Sequence, residues 1–125
     1  MHDQAEYYRS ILDNLTGGFL SVDLEGSVVY VNPTAGRILH FPDVERLIGR
    51  EYHQALAGFP ALVEVVRDVL ATHKTVHRAE VVVLHGDAPL TIGYSTLQVK
   101  NRKGDYLGLG LIFQDLTFVA RKTNG

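Results

Sequence analysis

A chain of 125 residues, 46% apolar and 21% charged, has the length for one domain with a hydrophobic core of its own. A net charge of −2 gives no electrostatic footprint for nucleic acid or an anionic bilayer, and no apolar run approaches the roughly 20 residues that cross a membrane. Zero cysteines exclude disulfides, thiolate metal sites and cysteine nucleophiles; this fits a cytoplasmic protein, and no signal-peptide pattern opens the chain.

Residues 3–15 carry Tyr8, Ile11, Leu12 and Leu15 at helical spacing, which predicts an amphipathic helix ended by Thr16-Gly17-Gly18. Phe19 to Asp23 and Val28 to Val31 read as two strands of a hairpin. Leu24-Glu25-Gly26-Ser27 between them supplies the glycine that a tight turn needs. Asn32 is then an N-cap, and Pro33 occupies the first helical position, where a missing N–H matters least. That helix runs to about Leu39, with Ala35, Ile38 and Leu39 facing inward. After a break at Phe41-Pro42-Asp43, a short helix falls within Val44 to Leu47 and a turn lies around Tyr52 to Leu56.

Gly58-Phe59-Pro60 interrupts again, and the longest periodic helix runs from Pro60 to about His73. Its stripe is Leu62, Val66, Val69, Leu70 and His73. From Val76 the pattern becomes strand-like: Val76 to Leu84, a turn over residues 85–89, Leu90 to Val99, a turn over residues 101–105, and Tyr106 to Phe113. Strands gathered at both ends of a helical middle define an α+β domain with an antiparallel sheet.

In this order the chain resembles the PAS family of sensory domains, over about residues 8–117. The markers are Ile11-Leu12-Asp13-Asn14-Leu15, Val22-Asp23 with Gly26, Val31-Asn32-Pro33, Ile48-Gly49, Gly104, and Asp115-Leu116-Thr117. The resemblance implies a PAS fold: a five-stranded antiparallel sheet in order 2-1-5-4-3, helices on one face and an N-terminal helix. It implies a single domain over residues 1–125, with 118–125 as the start of an output linker. It also implies signal relay, because Asp115 and Thr117 resemble the family's Asp-x-Thr motif at the strand-to-helix junction. Both side chains can accept hydrogen bonds from backbone N–H groups exposed there. Gln114 stands where many members have arginine, so a salt-bridged coupling is not expected.

Catalytic motifs are missing. Of the six histidines only His2 is followed by an acidic residue, as a kinase phosphoacceptor would be. Gly108-Leu109-Gly110 lies inside a strand with no helix after it to bind phosphate; it marks close approach of a backbone, helix or ligand. A stand-alone enzyme using His53 or His77 as base ranks last, for want of a paired acid or oxyanion motif. The chain is therefore not expected to be an enzyme; its parent is expected to be a sensor histidine kinase or related regulator.

Flavin adducts of this superfamily need a cysteine and are excluded; no residue signals non-covalent flavin. Haem-binding relatives place an axial histidine on the long helix, where His73 lies, so a haem redox or gas sensor is an alternative. The competing interpretation is an exposed histidine at a helix C-terminus. His73 and His77 have metal spacing only if one helix holds both, and the strand beginning near Val76 argues against a metal site. A small-molecule pocket between sheet and long helix would involve Val66, Leu70, His73, Ile92, Tyr94, Leu109 and Leu111, with Ser95 opposite Tyr94 and Thr96. The competing reading, favoured for want of ligand-specific residues, is that they simply fill the core. The remaining partners expected are a C-terminal output domain and a second copy of the chain. Dimerisation would use Tyr8, Ile11, Leu12 and Leu15, received by a flat surface at Gly108 and Gly110; a monomer with a folded-back helix is the alternative.

Overall fold

The computed structural model describes residues 3–117, the His85 side chain excepted. Helix α1 (Gln4–Asp13) is capped by Asp3, whose carboxylate accepts the Ala5 N–H at 3.0 Å. Strands β1 (Gly18–Asp23) and β2 (Val28–Val31) form the expected hairpin. Gly26 takes the left-handed turn at φ 88, and Asp23 Oδ1 accepts the N–H groups of Glu25 and Ser27 across it. Helix α2 (Pro33–Leu39) starts at the Asn32 cap with Pro33 in its first turn. A 3₁₀ turn at Val44–Leu47, the single turn α3 (Tyr52–Ala55) and the long helix α4 (Pro60–Thr72) follow. Strands β3 (Ala79–His85), β4 (Ala88–Lys100) and β5 (Tyr106–Asp115) complete the chain.

The sheet has the order β2-β1-β5-β4-β3, antiparallel throughout, as the resemblance implied. Alternation sends Leu20 and Val22 of β1, Ile92 of β4, and Leu109, Leu111 and Phe113 of β5 to one face. That face packs against Ala35, Leu39, Leu56, Leu62 and Val66 in one hydrophobic cluster. Close packing there depends on Gly18, where a Cβ would lie 2.7 Å from the Phe113 ring and 3.1 Å from the Ala35 Cα. Gly18 pairs with Phe113, so the chain enters and leaves the sheet at the same end of two adjacent internal strands.

Several boundaries differ from expectation. Helix α1 stops at Asp13, which leaves Leu15 outside it. β3 begins at Ala79 rather than Val76, because Arg78 turns left-handed at φ 49 and breaks the extended path. β4 is longer, starting at Ala88, because the β3–β4 connection is a tight turn at Gly86-Asp87. The expected output linker, residues 118–125, lies outside the described residues.

Candidate functional site

The end of β5 is bonded to β4 through backbone and side-chain groups together. Asp115 closes the β4–β5 ladder opposite Ile92, and its Oδ1 accepts the Thr117 N–H at 2.9 Å. The Leu116 N–H donates to the Thr91 carbonyl at 2.7 Å, and the Thr91 N–H donates to Thr117 Oγ1 at 3.0 Å. Thr117 Oγ1 therefore reaches strand β4. A groove of about 560 Å³ opens beside the junction on the outer face of the sheet. It is lined by Arg78, Glu80, Ser95, Ile112, Gln114 and Leu116, among others.

The residues proposed to line an interior pocket are divided. Val66, Ile92, Leu109 and Leu111 are buried in the core, with Leu70 and Tyr94 packed against it. Thr96 is buried, while Ser95 Oγ accepts the Arg78 N–H at 3.0 Å on the other face. His73 corrects the expectation that it faces the interior. Helix α4 ends at Thr72, and His73, its C-cap at φ 58, turns off the apolar stripe. Its exposed ring stacks on Tyr106, with centroids 4.2 Å apart and planes 13° apart, and its carbonyl accepts the Gln98 Nε2–H at 2.7 Å. A histidine so placed does not fit an axial haem ligand inside the domain, and His77 shares no helix with it. Burial pushes the Tyr106 phenol above its ordinary value, and its hydroxyl has no partner among the described residues.

At the other end, α1 buries none of its residues: Tyr8 is 58% and Ile11 48% exposed and Leu12 half-buried, as is Leu15 just beyond the helix. The helix is held instead by its backbone. Asn32, wholly buried, donates from Nδ2 to the carbonyls of Leu12 (2.9 Å) and Gly17 (3.1 Å). Its Oδ1 accepts the N–H groups of Phe19 and Ala35, both at 2.9 Å. Thr34 Oγ1 adds a bond to the Leu15 carbonyl at 3.1 Å. Arg9 pairs with Glu45 at 2.7 Å and lies 5.9 Å over the Tyr30 ring. Sequence reasoning found Asn32 as a cap but missed it as the hub that ties α1, β1 and α2 together. The flat glycine surface is also corrected. A Cβ on Gly110 would lie 3.0 Å from both Phe19 and Leu97, whose side chains cover it, and Gly108 admits the β1 backbone at Val22 and Asp23.

This sheet order, the Asn32-capped helix and the Asp-Leu-Thr junction together define a sensory domain of the PAS type. The chain belongs to the PAS fold family, which it matches over residues 12–121. Over 113 residues, 90% of this chain, it is 32% identical to the signal transduction histidine-protein kinase AtoS of Escherichia coli. Those residues make up 18% of that kinase. Among solved structures it is similar to the PAS domain of Bordetella pertussis BvgS, at a TM-score of 0.73 and 20% identity over 98% of this chain and 96% of that one. A PAS domain from Colwellia psychrerythraea gives 0.68 and 16%, over 93% and 99% respectively. No helix among the described residues is long and apolar enough to cross a membrane.

Proposed function

We propose that this PAS domain is a cytoplasmic relay module of a larger regulator of the sensor-kinase kind. A small molecule or partner contact shifts the sheet, and Asp115-Leu116-Thr117 hands the shift to an output domain. One observation carries this: Asp115 belongs to the β5 ladder while Leu116 and Thr117 are bonded to Thr91 on β4. Sliding of β5 against β4 must therefore change the start of whatever follows. Asp115→Ala removes the acceptor of the Thr117 N–H and is expected to alter output of the full-length protein. Unchanged signalling would overturn the relay. The ligand, if the signal is one, would replace packing among Val66, Leu70, Ile92, Tyr94, Leu109 and Leu111. Native mass spectrometry with an absorbance spectrum tests for it, haem included.

A second role, dimerisation, is favoured by the exposure of Tyr8 and Ile11 on a helix fixed through its backbone. Side chains that do not hold the helix in place are free to be covered by a second copy of the chain.

A further inference from the structure

We infer that Gly93 and Thr91 of β4 are positioning residues for the junction, so that the relay runs through β4 as well as through Asp115. The inference rests on the relay proposed above. Gly93 sits within a regular ladder, opposite Glu80 on one side and Gln114 on the other. Its backbone is not in the left-handed region that would explain a glycine, and glycine weakens a strand interior. What it provides is a notch. A Cβ there would lie 2.5 Å from Leu116 Cδ1 and 3.2 Å from Leu116 Cγ, so the Leu116 side chain occupies the space a larger residue would take. Thr91, two residues earlier, gives both its backbone groups to the junction. Notch and paired bonds together fix Leu116 and Thr117 against β4.

The same strand grips the far end of α4. Thr96 exchanges two bonds with Val76, its N–H to the Val76 carbonyl and its Oγ1 from the Val76 N–H, both 2.8 Å. Gln98 holds the His73 carbonyl. One strand thus contacts both the segment leaving α4 and the junction. A shift of residues 73–76 reaches Leu116 along β4 without passing through the interior.

The test uses size complementarity. Leu116 is a flexible, half-buried side chain beyond the end of β5, so Gly93→Ala is expected to fold while pushing Leu116 out of the notch. Amide exchange at Leu116 and Thr117 should quicken about tenfold, the loss of roughly one hydrogen bond's net contribution. Output of the full-length protein should change as it does for Asp115→Ala. Leu116→Ala empties the notch and should change output too, whereas the double variant refills part of it and should lie nearer wild type than either single variant. Gly58→Ala, in open space, is the control expected to change neither. If Asp115→Ala changes output while Gly93→Ala leaves both exchange and output unaltered, the inference is overturned and the relay stands. If Gly93→Ala quickens exchange but neither variant changes output, the relay itself falls and takes the role of β4 in signalling with it.

Discussion

Asn32 has no spare hydrogen-bonding capacity. Its amide makes two donations and accepts two N–H groups, all in a site with no access to water. Asn32→Ala strands these four backbone groups and removes a helix cap, and is expected to destabilise the domain by about 2–4 kcal/mol in urea unfolding. Asn32→Asp keeps both acceptors but loses both donors, and sets a charge against the carbonyls of Leu12 and Gly17. It should therefore loosen α1 selectively, seen as faster amide exchange in that helix than in α2. Tyr106 makes the opposite case. Burial raises its phenol, so below the ordinary value of 10.0 both folded and unfolded states are neutral and its contribution is fully present. As pH rises past that value the unfolded state ionises first and stability falls. Tyr106→Phe should flatten that alkaline fall in thermal unfolding. At neutral pH it should leave stability unchanged or slightly higher, since the hydroxyl has no partner to lose.

At the level of elements, β1 and α2 can approach only because residue 18 has no side chain. Gly18→Ala would drive a methyl group into the Phe113 ring and the α2 backbone, and is expected to cost about 1–3 kcal/mol, measured as a drop in the urea midpoint. Local chemistry made much of the fold legible. A turn glycine between two apolar runs and an Asn-Pro helix start announce β1, β2 and α2, because each signal acts within a few residues. Boundaries failed where a backbone turn overrode side-chain preference. Val76 is β-branched and bonded to Thr96, yet Arg78 breaks the strand; His73 continues the α4 stripe by count, yet a left-handed turn takes it away. The junction showed Asp115 and Thr117, whose motif is contiguous. It did not show Gly93, because the residue that needs its notch arrives from another strand.

Taken whole, the domain separates what stabilises it from what it presents. Helix α1 buries no residue, and its Arg9–Glu45 pair is exposed, a kind of contact worth about 0–1 kcal/mol. Replacing Tyr8 and Ile11 together by glutamate is therefore expected to leave the melting temperature within a few degrees of wild type. Light scattering should show a dimer for the wild type and a monomer for the variant; a monomeric wild type would overturn dimerisation. The pairing of Gly18 with Phe113 has a different consequence. Neighbouring strands lie about 5 Å apart, so the segments that lead into β1 and out of β5 leave the sheet side by side. Helix α1 and whatever follows Thr117 therefore set out from neighbouring points, so that anything gripping one lies within reach of the other.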